Sequence, residues 1–515
     1  MFMNRFLINF ILLFSCSPLF AQQLTVVQGK CRIGDQVMVL AYTFDDYISM
    51  QQRILGMAVA ENGKYKLEFE LLGTRQIFIQ VSNTEGEMIA QEGKTYNVDI
   101  PAVLSNQQIS FDKTKVELQF QEFPENDINI GIRNFNSDYR VFIDDHYYDF
   151  AVGEFKGSET FKSSMGEKNV ATDIFRSGDQ AKGFSDMKMP LGEFNSWVEL
   201  FDLYVDSNYV QYMDDPYFFE YKNFKIAELE MISGVKPSFI YKENFFGRKV
   251  SYEQPGYFSL LRLLYGNLFA KVKDSDTKDW IRVAINVEKS PQTLEFAFKS
   301  DSLFFNEEIR TIVMIHALKE NYYNQEFIKS SIETLLNKVA TTDKRPEISK
   351  IAANTIRSLR SGRQGWEIPD FRLVDHKKDI WSSSELGDKY TYYIFYASWC
   401  SSCMKELLII EKIALEYKDF VNVVAINMDD SFTEFEKYVK EHPNHKFTML
   451  YGPSDPMIKT NFNLRALPTV VMVDHDQNIV FDHTRKPSEG VQNEFESLKI
   501  RATQKNKTGP KTWKD

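Results

Sequence analysis

At 515 residues with 43% hydrophobic content, the chain has the apolar mass for several cores, and length alone suggests roughly three domains of about 150 residues. Its formal net charge of −11, with 61 Lys and Arg against 72 Asp and Glu spread along the chain, excludes the clustered basic footprint that nucleic-acid binding needs. The 42 Phe and 25 Tyr exclude a mainly disordered chain.

Arg5 precedes an apolar run from Phe6 to Phe14, followed by small residues ending in Phe20-Ala21-Gln22, which is the layout of a secretory signal peptide over 1–21. The run is shorter than the ~20 apolar residues of a membrane span, so export with cleavage after Ala21 is favoured over an uncleaved anchor. Leu13-Phe14-Ser15-Cys16 also resembles a bacterial lipoprotein box, in which Cys16 would carry a lipid anchor; ordinary cleavage is the preferred reading. The expected location is the periplasm or cell envelope. Only four cysteines are present: Cys16, Cys31 and the pair Cys400/Cys403. An exported chain with a single close pair and no disulfide framework points to redox chemistry more than to scaffolding.

From 22 to 122 the pattern is short alternating runs such as Tyr65-Lys66-Leu67-Glu68-Phe69-Glu70, separated by turn signals at Asn62-Gly63 and Glu92-Gly93. Period-two alternation with this punctuation predicts a small β-sandwich. Cys31 falls in its first strand, and a small buried side chain is the favoured reading there. After Pro124 the period changes. Ile128, Ile132, Phe135, Tyr139, Phe142 and Tyr147 recur at steps of mostly three and four, and similar spacing returns through Phe327 to Val339, predicting a helical domain over 123–360. His146 and His316 sit on such helices with no second His or acidic partner read at ligand spacing, so no metal site is expected. The stretch Arg357 to Gln364, with Ser361-Gly362, reads as a linker.

Residues 365–500 alternate strands with helices. Tyr392–Ala397 and Val421–Ile426 read as strands, Met404–Tyr417 as a helix between them, and Thr469–Val473 with Asn478–Phe481 as a closing hairpin. The polar stretch 501–515 reads as a disordered tail. The expected fold is thus multidomain α+β: an N-terminal β-sandwich, a central α-helical region and a C-terminal α/β domain.

Ala397-Ser398-Trp399-Cys400-Ser401-Ser402-Cys403 stands between the buried-looking strand and a helix whose Leu407, Ile410, Ala414 and Tyr417 form an apolar face. With Cys400 at the helix N-terminus, unpaired N–H groups and the helix dipole favour thiolate over thiol, which makes Cys400 the nucleophile. Two intervening residues let Cys403 reach back and resolve the mixed disulfide. A zinc site is set aside because no second C-x-x-C or paired histidines accompany the pair, and a purely structural bridge would close only a tiny loop. No cofactor is implied.

Trp399-Cys400-Ser401-Ser402-Cys403, followed by Arg465-Ala466-Leu467-Pro468-Thr469 before an apolar strand, resembles the thioredoxin superfamily, and the opening Pro369-Asp370-Phe371 resembles the exported TlpA/ResA-type redoxins of bacteria. That resemblance implies a cis Pro468 facing the cysteines, a Leu467 backbone that pairs with an extended substrate segment, and a Glu406 that modulates proton transfer at Cys403. For Glu406 the competing reading is a solvated helix-surface acid. Three departures stand out: Ser401-Ser402 lacks the proline of many relatives, Leu408 replaces a helix-kinking proline, and Ile394 occupies the place of a buried Asp. The front of the chain, with Glu61-Asn62-Gly63-Lys64-Tyr65, resembles the long redoxins of Bacteroidetes-like bacteria, implying a docking module.

The resulting expectation is an exported thiol-disulfide oxidoreductase, acting as a reductant on cysteines of envelope proteins and fed by a membrane or envelope redox partner. One alternative is an envelope binding or docking protein whose redoxin domain is accessory. The other is a thiol peroxidase, disfavoured because Ala397 stands where a peroxidatic site needs Thr.

Overall fold

The computed structural model describes residues 24–34, 37–102, 114–121, 126–151, 194–298, 302–386, 389–429, 431–455 and 457–507. The expected leader with Cys16 and residues 508–515 lie outside these.

The front of the chain forms two sheets. Strands β1 (Thr25–Lys30), β4 (Lys64–Phe69), β7 (Thr95–Asp99) and β9 (Gln119–Phe120) make one, in the order β4-β1-β7-β9. The other, ordered β3-β2-β5-β6-β8, contains β2 (Met38–Phe44), β3 (Gln52–Val59), β5 (Thr74–Val81), β6 (Thr84–Gln91) and β8 (Thr114–Lys115). Alternation decides which faces meet. Tyr65, Leu67 and Phe69 turn inward between exposed Lys64, Lys66 and Glu68, and join Val39, Ala41, Ile77 and Ile79 of the second sheet in one cluster. Cys31, just past β1, is buried in that cluster.

Helices follow: α1 (Ile128–Ala151), α2 (Phe194–Asn208), α3 (Pro216–Ile232), α4 (Pro237–Asn244), α5 (Pro255–Tyr265), α6 (Leu268–Lys271), α7 (Ser275–Val283), α8 (Pro291–Phe296), α9 (Glu307–Glu320), α10 (Lys329–Thr342) and α11 (Pro346–Arg360). Pro at the first helical turn recurs in five of them, where its missing N–H costs nothing. Asp215 and Asn306 cap α3 and α9 through two backbone N–H groups each. Phe135, Tyr139 and Phe142 of α1 form an aromatic core with Phe201 and Phe218. Two readings need correction. Arg357–Arg360 is the last turn of α11 and not linker: Leu359 is buried there, and basic side chains suit a helix C-terminus. His316 does have an acidic neighbour, Glu320 one turn on, with Nε2 to Oε1 at 3.3 Å; among the described residues no group of three such side chains is placed to hold a metal ion.

The C-terminal sheet runs β11-β10-β14-β13-β12-β15, from β10 (Arg372–Val374), β11 (Ile380–Ser382), β12 (Tyr390–Tyr396), β13 (Val421–Asn427), β14 (Thr448–Tyr451) and β15 (Thr469–Val473). β12 is parallel to β13 and antiparallel to β15, so it has a partner on each side and is nearly all buried. Tyr392, Ile394 and Tyr396 face α12 (Ser401–Tyr417), while Tyr393 and Phe395 pack on the opposite side with Ile458 and Phe462. α13 (Phe432–Glu441), the short α14 (Ile458–Asn461) and α15 (Gln492–Lys507) complete the layers. The second arm of the expected hairpin is reduced to isolated bridges such as Val473 to Ile479. α15 runs past residue 500 into the expected tail, where Arg501-Ala502-Thr503-Gln504-Lys505 is mostly good helix former. Among the described residues no helix is long and apolar enough to cross a membrane.

The three regions touch. The Asp45–Gln51 loop is gripped by the helices through Arg262 to the Tyr47 carbonyl (2.8 Å), Lys319 to the Ile48 carbonyl (2.6 Å) and Asn354 to Asp46 (2.9 Å). Asp46 also accepts from the backbone of Ile48 and Ser49 while only 4% exposed. Asp46→Ala strands these buried donors and is expected to lower the unfolding free energy by about 3 kcal/mol. A urea titration followed by tryptophan fluorescence measures the loss.

Candidate functional site

β12 delivers the chain to one end of the sheet, where Ala397-Ser398-Trp399 turns it into α12. Cys400 is the N-cap of that helix: its backbone is extended (φ −87°, ψ 99°) and its sulfur accepts the Cys403 N–H at 3.3 Å. The Cys400 N–H donates to the Ala397 carbonyl at 3.1 Å, and the Cys400 carbonyl accepts from the Met404 N–H at 3.1 Å. Sulfur therefore occupies the place where an N-cap oxygen usually satisfies an orphan N–H, and negative charge there is stabilised by the helix end. Ser402 Oγ lies 3.3 Å from the same sulfur.

Cys400 and Cys403 are joined in a disulfide with Cα atoms 5.2 Å apart. Cys403 is 0% and Cys400 7% exposed, whereas Trp399 beside them is 48% exposed. The arrangement leaves the first sulfur at the surface end of the helix and the second sealed beneath it.

The residues expected around the pair fall as follows. The Leu467–Pro468 bond is cis, and Leu467 packs against the apolar cluster that contains both cysteines. Glu406 lies one turn after Cys403 but is not a solvated acid. It is 7% exposed, with Oε2 accepting the Ser488 N–H (2.9 Å) and Oε1 the Ser488 hydroxyl (2.6 Å). Its carboxylate thus fastens the turn at Pro487–Glu489 to α12. Ile394 is buried in the cysteine cluster, so an apolar side chain fills the place of the buried acid.

The sequence reading missed a second carboxylate. Asp429, 0% exposed just beyond β13, accepts the Ser398 N–H on Oδ1 (2.8 Å) and the Asn427 amide on Oδ2 (2.9 Å). It thereby holds the turn that aims Cys400. The buried Tyr396 hydroxyl nearby is pushed well above the usual phenol range, chiefly by burial, then by Tyr438, with Asp429 adding to it. The available signal was Asn427-Met428-Asp429 at the C-terminal end of a parallel strand that neighbours the strand leading into the cysteines.

This geometry predicts that, in the reduced protein, iodoacetamide alkylates Cys400 at least about tenfold faster than Cys403, because thiolate character and access favour the first sulfur together. Peptide mapping after a short pulse measures the ratio.

Residues 387–479 match the family described as Thioredoxin-like. The chain is 30% identical over 118 residues to Thioredoxin-like protein YneN of Bacillus subtilis, covering 22% of this chain and 66% of that protein. It is 25% identical over 131 residues to Thiol-disulfide oxidoreductase ResA of Bacillus cereus, covering 24% of this chain and 75% of that one. Among solved structures it is similar to the thioredoxin domain of a thiol-disulfide oxidoreductase from Bacteroides vulgatus, at 20% identity over 26% of this chain and 96% of that one, with a TM-score of 0.24. Residues 387–479 are thus a thioredoxin-like segment, and over that part the chain is similar to proteins named as thiol-disulfide oxidoreductases.

Proposed function

We propose that the chain is an exported thiol-disulfide oxidoreductase that reduces cysteine pairs of cell-envelope proteins. The observation that carries this reading is the sulfur of Cys400 capping α12, with Cys403 directly behind it and disulfide-bonded to it. In the reduced form, the Cys400 thiolate attacks one sulfur of a substrate disulfide, forming a mixed disulfide and releasing the other substrate sulfur, which takes a proton. Cys403 then loses its proton and attacks Cys400, expelling the second substrate thiol. The substrate gains two electrons and two protons, and Cys400–Cys403 is left oxidised. A dithiol donor in the envelope or membrane restores it. Export rests on the leader pattern at 1–21, and anchoring through Cys16 is a subsidiary reading.

Within this reading, Leu467 and Pro468 present an extended substrate segment to Cys400, Trp399 offers it an exposed aromatic face, and Glu406 influences the protons of Cys403 from one turn away. Residues 22–122 act as a β-sandwich and 123–360 as a helical domain, together a docking module. Support comes from the single cluster the two sheets share and from their contacts with both other regions. A binding protein with an accessory redoxin is the second reading, and the size of that front portion favours it.

The full chain, supplied with dithiothreitol, is expected to reduce a peptide disulfide above the uncatalysed background. Cys400→Ser abolishes that activity, and Cys403→Ser accumulates the mixed disulfide, visible as a mass adduct. Equal turnover by wild type and Cys400→Ser contradicts the enzymatic reading and leaves the binding one.

A further inference from the structure

In an antiparallel pair, residues directly opposite one another stand on the same face of the sheet. Across β2 and β3 the register places Met38 opposite Val59 and Leu40 opposite Met57 and, after a one-residue bulge between Ala41 and Tyr42, Tyr42 opposite Ile54. Leu40 and Tyr42 are 0% and 1% exposed, clustered with Met457 of the C-terminal domain and with Phe44 and Phe78 of their own sheet. Their partners on the same face are open: Ile54 is 39%, Met57 57% and Val59 43% exposed. The inner face of the sheet is separately accounted for by Val39 and Ala41. One apolar surface therefore starts beneath the redoxin domain and emerges beside it.

The redoxin segment seated on this surface is the one that leads into the site. Lys459 donates to Asn83 (2.9 Å) and Thr460 to Gln52 at the start of β3 (3.3 Å). From α14 the chain continues through Arg465 and Ala466 directly to the cis Leu467–Pro468 bond, and Leu467 packs on the cysteine cluster. The sheet thus holds the base of the loop that borders Cys400.

We propose that Ile54, Met57 and Val59 form a docking strip for an extended, apolar segment of the disulfide-bearing polypeptide whose sulfurs reach Cys400. This rests on the oxidoreductase reading and names its substrate class: unfolded or partly folded polypeptide. Four features select that occupant. The strip is continuous with the buried interface between sheet and redoxin. It spans six positions of a strand, ~20 Å, the reach of a short extended segment, and β3 ends its sheet. It carries no free charge on its face, since neighbouring Arg53 is paired with Asp45 at 3.3 Å, so an acidic or basic ligand gains nothing there. Met57 supplies a pliable thioether suited to varied apolar partners. A second copy of this chain is a poorer fit, because three part-exposed side chains fall far short of the ~800 Å² per partner of a stable pairing.

The test uses the full-length protein and two disulfides: a 15-residue Leu- and Val-rich peptide with an internal disulfide, and hydroxyethyl disulfide. In Ile54→Ser/Met57→Ser, KM for the peptide is expected to rise roughly tenfold with kcat unchanged, while turnover of hydroxyethyl disulfide stays at the wild-type level. A fluorescent, serine-substituted form of the peptide, which cannot react, is expected to lose affinity by the same factor. Unchanged peptide binding in the double variant overturns the proposal, as does a stable dimer in sedimentation that this variant dissociates. Loss of turnover on both disulfides in the wild type, with peptide binding still sensitive to Ile54 and Met57, overturns the redox reading alone.

Discussion

A helix that starts where a nearly fully buried strand ends must satisfy its first N–H groups within a very short turn, and here a sulfur takes one of them. Cys400 caps α12 while Asp429, from the next strand, takes the Ser398 N–H and fixes the turn that carries the sulfur there. The surroundings follow from that constraint. β12 must be paired on both sides and largely apolar on both faces to end reproducibly at the helix. The helix must bury Cys403 on the same side as Leu407 and Ile410, and Glu406, one turn on, is free to bind Ser488 and pin the segment that leads into α15.

The parts of the fold that were legible in the sequence are those written in local periodicity. Strand β12, the apolar face of α12 and the alternation of β4 depend on residues within one element, and the pair Cys400/Cys403 has little other chemistry open to it. What escaped was long-range. Asp429 lies 29 positions from Cys400, and only the parallel pairing of β12 with β13 shows that its carboxylate meets the turn. Glu406 kept a solvated acid as its competing reading, since nothing local announces Ser488, 82 residues away, as its partner. The boundary errors have the same origin. Basic residues at 357–360 suggested a linker until the burial of Leu359 showed a helix end, and the polar stretch after 500 lacks the apolar stripe by which helices were recognised.

The front of the chain is more than a spacer. Its Asp45–Gln51 loop is held by three helices, and its second sheet supports α14 of the redoxin domain, so the site's flanking loop is anchored to a region outside that domain, whose cysteine Cys31 is buried away from the pair. A thioredoxin-like domain acting alone selects substrates through the few side chains around its cysteines. The docking strip proposed on β3 would add a selection by the shape and apolarity of the substrate chain.

The central claim is that Cys400 and Cys403 form a working reductant, and the reduction potential of the pair tests it most directly. Equilibration of the full chain in glutathione or dithiothreitol buffers, with thiols trapped and counted, is expected to give a value below about −230 mV. A value near −120 mV contradicts the account by making the protein a disulfide donor, and a pair that does not titrate contradicts it altogether.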